Sequence, residues 1–195
     1  MTSNHSGQRP GYLKSQLHPE TRLTAAVITV SDAGARGLRE DVSGPAVVQE
    51  LEANGFDTVF RCVIPDEADV IEDALRRAGT AARLVITTGG TGIARRDVTP
   101  EATRKVCDRL LEGVAELMRA EGRRETPLAV LSRGLCGTMG SSLVLNLPGS
   151  PAGAVSSLRA ALPVLPHALD LLSGKTEHTT ASESGTRLPS KPTKG

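Results

Sequence analysis

The chain has 195 residues, of which 38% are hydrophobic, so it is long enough for one folded domain with a substantial core. Its net charge is only +1 and its aromatic content is 2%. The chain therefore lacks the positive charge and the stacking side chains that binding of single-stranded nucleic acid requires. The three cysteines are widely spaced and lack ligand-spaced histidines, which argues against a disulfide framework and a zinc site. The sequence shows no signal peptide and no membrane-spanning segment, so we expect a cytoplasmic protein without nucleic-acid or membrane partners.

The two ends of the chain have compositions typical of disorder. Residues 1–22 and 174–195 are polar, rich in small residues and nearly without apolar side chains to bury. We therefore expect one folded domain at residues 23–173 between two disordered segments.

The first half of this domain alternates strands with helices. Residues 25–30 and 59–64 predict two strands, and residues 47–54 between them have helical spacing up to an Asn-Gly stop signal. Residues 70–78 place apolar side chains at every third or fourth position, which predicts an amphipathic helix. Residues 84–88 form an apolar run that suits a parallel strand buried on both faces.

The second half continues the alternation. Two helix starts carry a capping residue followed by proline, at Thr99-Pro100 and at Ser150-Pro151. The other predicted elements are a helix over residues 102–117 broken at Gly113, a strand at 128–131, a glycine loop at 134–140, a strand at 143–147 and a helical region at 154–172 bent at Pro163 and Pro166. The whole pattern predicts a single-domain, three-layer α/β/α sandwich around a mostly parallel sheet.

The densest stretch of signals follows the third strand. Three glycines at positions 89–92 permit positive φ and close backbone approach, so the N–H groups around Thr91 can converge on a phosphate. The alternative is a tight strand-to-helix connection in which the glycines serve geometry alone. Two arginines and Asp97 come next and favour the phosphate interpretation.

Three further polar residues have two interpretations each. Asp66 follows a proline before a predicted helix and reads first as a helix cap, as does Asp41 beside a serine and a glycine. Alternatively, Asp41, Asp66 and Asp97 share one edge of the sheet and hold Mg²⁺ against nucleotide phosphates. Arg133 is either a phosphate contact or an ordinary surface arginine.

Two familiar nucleotide-binding motifs are excluded. A dinucleotide-binding fingerprint starting at Gly90 would need a third glycine where Arg95 stands. The Gly-Lys-Thr at residues 174–176 lacks the first glycine of a P-loop and follows a predicted helix instead of a strand.

Seven short strings occur in order along the chain. They are SD at Ser31, DVSG at Asp41, IPDE at Ile64, TTGGTG at Thr87, RDVTPEA at Arg96, LSRG at Leu131 and NLPGSP at Asn146. Together they resemble the MogA/MoaB family, the small molybdopterin-binding proteins and molybdopterin adenylyltransferases of molybdenum cofactor biosynthesis. The resemblance covers residues 24–174.

The resemblance implies an activity and partners. It implies a Mg²⁺-dependent enzyme that transfers AMP from ATP to molybdopterin, giving adenylylated molybdopterin and pyrophosphate. It also implies a homotrimer and hand-over of the product to a molybdenum insertase. The alternatives are a non-catalytic molybdopterin-binding protein of the MoaB type, and the related domain that inserts molybdate within larger proteins.

The resemblance also assigns residues. It gives Asp66 and Asp97 catalytic and metal-binding roles, and it places phosphate at the glycines after the third strand. The other residues assigned to substrate binding are Ser31, Asp41, Ser43, Gly44, Gly90, Thr91, Gly92, Ser132, Arg133, Pro148, Gly149 and Ser150. Many relatives have a basic residue where this chain has Met139, which predicts a missing electrostatic contact.

Overall fold

The computed structural model describes residues 23–174. The predicted disordered ends lie outside this range, apart from Gly174, which forms a turn after the last helix. The elements in chain order are β1 Leu23–Val30, α1 Asp32–Ala35, α2 Ser43–Ala53, β2 Phe56–Ile64, α3 Ala68–Ala81, β3 Leu84–Thr88, α4 Thr99–Val106, β4 Arg109–Leu110, α5 Glu112–Glu125, a 3₁₀ helix Pro127–Leu131, β5 Cys136–Met139, β6 Ser142–Leu147, α6 Pro151–Ala161 and α7 Leu165–Leu172. No helix in this range is long and apolar enough to cross a membrane.

The six strands form one sheet in the order β2-β1-β3-β6-β5-β4. The first four are parallel to one another. At one side β5 pairs antiparallel with β6, and β4 pairs antiparallel with β5. The first described strand, β1, lies inside the sheet, with β2 on one side and β3 on the other. This reversal is a topological switch point, and ligands of open α/β sheets bind beside such points.

Two hydrophobic cores lie on the two faces of the sheet. Along β1, Ala25 and Val27 face one core, while Ala26 and Ile28 face the other. Apolar residues of α2, α5, α6 and α7 complete the first core, and those of α3 and α4 complete the second. The three-layer sandwich predicted from the sequence is thereby confirmed.

Two local predictions at helix ends are confirmed. Ser150 caps α6, because its Oγ accepts a hydrogen bond from the Gly153 N–H at 3.3 Å, and Pro151 occupies the first turn. Gly55 follows α2 with a φ of 86°, as expected after a helix that stops at Asn-Gly.

Two predicted caps are wrong, because tertiary contacts take the side chains. The hydroxyl of Thr99 donates to Gly89 O at 3.0 Å, and Thr99 is itself the first residue of α4. The Asp66 carboxylate accepts from the Asp32 N–H, while the cap position of α3 falls on Glu67 without a side-chain hydrogen bond.

The predicted strand at residues 128–131 is instead part of the 3₁₀ helix. Pro127 starts this helix without an N–H to donate, and the Oγ1 of Thr126 accepts from the Leu128 N–H at 3.3 Å. Leu128 is 68% exposed, so the apolar run does not report a buried strand.

The predicted glycine loop at residues 134–140 is mostly strand β5. A Cβ at Gly137 would lie 2.6 Å from Cys107 Sγ, so this glycine allows close packing against the chain beside β4. Met139 pairs with Ser142 at the amino end of β6 and packs against Gly79, far from the carboxyl ends of the parallel strands. The preceding helix break falls at residues 107–111, and Gly113 lies inside α5.

Candidate functional site

The four parallel strands end at one edge of the sheet, and polar residues follow each of them. Ser31 and Asp32 follow β1, Asp66 follows β2, and residues 89–97 follow β3. Residues 148–150 follow β6 and lead into α6. This edge includes the switch point between β1 and β3.

A polar cavity of about 440 Å³ opens at this edge, and we call it the aspartate cavity. Its walls come from the loops after β1, β2, β3 and β6 and from the start of α2. Eight of the fourteen residues assigned from the sequence line it: Ser31, Asp41, Ser43, Asp66, Gly90, Asp97, Gly149 and Ser150. The fold therefore brings the two predicted catalytic aspartates into one cavity.

Asp66 is held by a reciprocal pair of hydrogen bonds with Asp32. The Asp32 N–H donates to Asp66 Oδ2 at 2.9 Å, and the Asp66 N–H donates to Asp32 Oδ1 at 3.2 Å. Arg96 donates from Nε and Nη2 to the two carboxylate oxygens of Asp32, at 3.0 and 2.7 Å. These contacts connect the loops after β1, β2 and β3, which fixes Asp66 relative to the loop that carries Asp97.

The surroundings of Asp66 raise its pKa. Burial raises the pKa of Asp66, and the negative charges of Asp32 and Asp97 raise it further, while the hydrogen bond from Asp32 and the charge of Arg96 oppose them. A cation next to Asp66 and Asp97 would relieve this repulsion and stabilise the carboxylate.

Asp97 closes a short turn within its loop. Its N–H donates to Ala94 O at 3.0 Å, and its Oδ2 accepts from the Ala94 N–H at 2.7 Å. A Cβ at Gly92 would lie 2.8 Å from the same Oδ2, so the turn leaves no room for a side chain there.

The two aspartates fit a divalent cation that arrives with a ligand. Within residues 23–174, neither Asp66 Oδ1 nor Asp97 Oδ1 accepts a hydrogen bond, and no three His, Cys, Asp or Glu side chains form a preformed metal site. Mg²⁺ is typically held by one or two carboxylates and completes its shell with water and phosphate oxygens. Two carboxylates with free oxygens are the donors that such a cation could use beside a phosphate ligand.

The glycines after β3 have different roles. Gly89 has a φ of 105°, and a Cβ there would lie 2.2 Å from Val30 O, so its role is to allow the tight exit from the strand. A Cβ at Gly90 would lie 2.9 Å from Asp66 Oδ1 and 2.3 Å from Thr99 Oγ1. Gly90 thus leaves space beside Asp66 Oδ1, the oxygen that accepts no hydrogen bond from the described residues.

Asp41 is engaged by protein contacts on both of its oxygens. Its Oδ1 accepts from the Gly44 N–H at 2.9 Å, and its Oδ2 accepts from the Thr29 hydroxyl at 2.9 Å and from Arg61 Nη2 at 3.1 Å. A Cβ at Gly44 would lie 2.4 Å from Asp41 Oδ2, which explains the glycine. These contacts support the turn-and-cap interpretation of Asp41, which anchors the start of α2 to β1 and β2.

A second cavity of about 400 Å³ shares Gly149 and Ser150 with the aspartate cavity. We call it the apolar cavity, because its walls include Ile93, Met118 and Leu131. The assigned residues that line only this cavity are Thr91, Gly92, Ser132 and Pro148. The assigned residues are thus divided between two adjoining cavities.

Two assigned residues, Gly44 and Arg133, line neither of these cavities. The guanidinium of Arg133 donates to the carbonyl oxygens of Gly92 and Asp97 and pairs with Glu101. Its contacts therefore differ from the phosphate contact that the sequence suggested.

Sequence reasoning missed the contact between Asp32 and Arg96, which are 64 positions apart. Asp32 carried a usable signal, because it directly follows a predicted strand and the carboxyl ends of parallel strands share an edge. No comparable signal identified Arg96 as the partner of Asp32, because the direction in which the Arg96 side chain points depends on the conformation of its loop.

A family model for a probable molybdopterin binding domain matches residues 26–167 of the chain. The chain belongs to this family. The match covers β1 through the start of α7 and includes every residue assigned to the site. The MogA/MoaB resemblance read from the seven strings is confirmed.

Individual members of the family are similar over most of the domain. The molybdopterin adenylyltransferase of Helicobacter pylori (strain ATCC 700392 / 26695) is 41% identical over 153 residues, which are 76% of this chain and 86% of that protein. The molybdenum cofactor biosynthesis bifunctional protein of Synechococcus elongatus is 37% identical over 77% of this chain and 47% of its own length. The crystal structure of the molybdopterin biosynthesis enzyme MoaB from Thermus thermophilus has 49% identity and a TM-score of 0.74, and it covers 78% of this chain and 98% of that one.

Proposed function

We propose that the protein transfers AMP from ATP to molybdopterin in a Mg²⁺-dependent reaction that yields adenylylated molybdopterin and pyrophosphate. One observation carries this assignment. Asp66 and Asp97 converge on a polar cavity at the switch point, each with an oxygen that accepts no hydrogen bond from the described residues. The 41% identical relative from Helicobacter pylori is named for this activity.

The two adjoining cavities suit the two substrates. The aspartate cavity is polar and would take the phosphates of ATP, with the nucleoside on the side of Ser43 and α2. The apolar cavity would take the pterin, because a flat heterocycle gains by burial against apolar walls. The shared residues Gly149 and Ser150 lie at the start of α6, where the positive end of the helix dipole favours the phosphates that must meet there.

The reaction needs positioning and charge stabilisation more than a protein nucleophile. An oxygen of the terminal phosphate of molybdopterin attacks the α-phosphorus of ATP, and the bond from that phosphorus to the oxygen bridging the β-phosphate breaks as pyrophosphate leaves. Asp66 and Asp97 would hold Mg²⁺, which when bound supplies neutralisation of the phosphate charge. Gly90 leaves room for a phosphate oxygen beside Asp66.

Replacing Asp97 with asparagine tests this assignment. Asp97→Asn keeps the size of the side chain but removes the charge, so we expect product formation to fall by roughly 100-fold or more. Adenylylated molybdopterin is measured by mass spectrometry for wild type and variant at matched Mg²⁺ and ATP. Chelation of Mg²⁺ should stop product formation by the wild type.

Asp73→Asn is the matched control, because Asp73 is an exposed carboxylate on α3 outside both cavities. It should retain the wild-type rate. A folded wild type that binds molybdopterin but makes no product, under conditions in which the Helicobacter pylori relative does, would instead be a non-catalytic binding protein of the MoaB type.

We further propose that the protein is a cytoplasmic homotrimer that passes its product to a molybdenum insertase. The bifunctional relative supports a link to a second activity, because the matched segment makes up only 47% of its length. Light scattering should give three times the chain mass of 20.4 kDa. A mass equal to that of one chain would reject the trimer without affecting the proposed reaction.

A further inference from the structure

Arg133 lies outside both cavities, yet it contacts the loop that carries Asp97 at several points. Its backbone N–H donates to Thr91 O at 2.8 Å. Its guanidinium donates from Nε to Gly92 O at 2.6 Å and from Nη2 to Asp97 O at 2.5 Å. Nη1 pairs with the carboxylate of Glu101 in the first turn of α4.

The outer part of this loop, from Gly92 to Asp97, has few hydrogen bonds to the body of the domain. Its tip is exposed, with Ile93 72% accessible to solvent. The two hydrogen bonds between Ala94 and Asp97 close the turn on itself and do not connect it to the sheet. On the side of β1, the loop is attached by the pair between Arg96 and Asp32, in which the Arg96 side chain is 57% exposed.

We propose that Arg133 is a positioning residue for Asp97, and that its guanidinium sets the place of the Asp97 carboxylate in the aspartate cavity. This inference rests on the proposed adenylyl transfer and adds to it a residue that does not touch substrate. The carbonyls of Gly92 and Asp97 bound the turn, so holding both fixes the segment between them and the direction of the Asp97 side chain. A misplacement on the order of 1 Å can cost a catalytic group about 100-fold in rate.

The multipoint contact depends on the shape of the guanidinium. Lysine keeps the charge of Arg133, but a single ammonium lacks the planar fork that reaches two carbonyls and a carboxylate together. Arg133→Lys therefore removes the positioning contact with little change in charge. Glu101→Gln leaves both carbonyl contacts intact, and exposed ion pairs contribute little by themselves, so this variant should behave almost as wild type.

Arg83 provides a matched control for a purely structural effect. It also uses its guanidinium to hold two backbone carbonyls, donating from Nε to Ser141 O and from Nη2 to Leu169 O, each at 2.8 Å. It precedes β3 at the opposite end of the sheet from the aspartate cavity. Arg83→Lys thus loses contacts of the same kind without reaching the site.

The test compares wild type, Arg133→Lys, Glu101→Gln and Arg83→Lys with molybdopterin, ATP and Mg²⁺. For Arg133→Lys we expect kcat to fall by about 10- to 100-fold, because the Asp97 carboxylate is displaced. Glu101→Gln and Arg83→Lys should keep kcat within about threefold of wild type. A further variant, Arg133→Ala, removes the whole side chain. Guanidinium ion at millimolar concentration should restore part of its rate, because the ion can occupy the place of the missing guanidinium.

Hydrogen exchange provides a readout that does not depend on activity. Amides of residues 92–99 should exchange about tenfold faster in Arg133→Lys than in wild type, while amides of the sheet are unchanged. An equal loss of kcat in Arg133→Lys and Arg83→Lys, or unchanged exchange in residues 92–99, would overturn the role of Arg133. If the wild type makes no product, the proposed reaction is rejected. The comparison of exchange in residues 92–99 between wild type and Arg133→Lys then still tests whether Arg133 holds the loop.

Discussion

Asp32 is the residue through which three strand ends are connected. It follows β1, exchanges hydrogen bonds with Asp66 after β2, and accepts two from Arg96 in the loop after β3. A carboxylate with hydrogen-bond partners on both oxygens is poorly suited to bind a cation, whereas Asp66 and Asp97 each retain one oxygen without a hydrogen bond from the described residues. The division of roles among these aspartates therefore follows from their hydrogen bonds.

The pair between Arg96 and Asp32 should make stability depend on pH. The hydrogen bond from Arg96 lowers the pKa of Asp32, so the pair stabilises the fold above the unfolded-state pKa of about 3.9. That contribution is lost as the pH falls through the lower folded-state pKa. Arg96→Gln should therefore melt a few degrees below wild type at neutral pH, and the difference should shrink in acid.

Thermal melts followed by circular dichroism, from neutral pH down to the lowest pH at which both proteins fold, measure this difference. Arg95→Gln is the control, because Arg95 is an exposed arginine next to Arg96 in the same loop. A melting difference for Arg96→Gln that stays constant with pH would show that the ion pair is not its cause.

At the scale of elements, local signals predicted β3 and α6, because a strand buried on both faces is uniformly apolar and a serine before proline caps a helix. Residues 128–131 are equally apolar, but Leu128 and Val130 are exposed and the segment forms a 3₁₀ helix that begins at Pro127. The predicted cap at Asp66 failed for a related reason, since the competing donor, the Asp32 N–H, is 34 positions away. By contrast, the meeting of Asp66 and Asp97 in one cavity was predictable, because both follow strands and the carboxyl ends of parallel strands share an edge.

The exit from β3 should be the least tolerant glycine position of this edge. Gly89→Ala combines a φ of 105° with a Cβ 2.2 Å from Val30 O, and we expect it to lower the free energy of unfolding by about 3 kcal/mol or more. Gly37→Ala is the control, because Gly37 has a φ of 69° but nothing within 4 Å of a Cβ. It should cost about 1 kcal/mol, the cost of the backbone conformation alone.

Urea unfolding of the two alanine variants measures both losses. Similar losses in Gly37→Ala and Gly89→Ala would mean that the chain relaxes around the clash with Val30, and that backbone conformation alone sets the cost.

At the scale of the whole molecule, the aspartate and apolar cavities lie at one end of the sheet, and the two hydrophobic cores lie on its two faces. Cys136 lies in the core shared by α2, α5, α6 and α7 and is 1% exposed, whereas Cys62 on β2 is only partly buried. Burial raises the pKa of Cys136 to about 12, so little of the reactive thiolate exists at neutral pH. Labelling of Cys136 should therefore report the opening of this core.

We expect iodoacetamide at mildly alkaline pH to label Cys62 first and Cys136 last, with Cys136 at least roughly 1,000-fold slower than in the unfolded chain. Peptide mapping by mass spectrometry resolves the two rates. If Cys136 becomes accessible only when the whole domain unfolds, its labelling rate depends on the unfolding equilibrium constant. Gly89→Ala should then speed the labelling of Cys136 by the same factor by which the substitution raises that constant. The labelling rate of Cys62 should be nearly unchanged. Labelling of Cys136 that does not respond to Gly89→Ala would instead mean that β4 and β5 detach from the sheet on their own, so that the antiparallel edge opens independently of the parallel strands that carry the site.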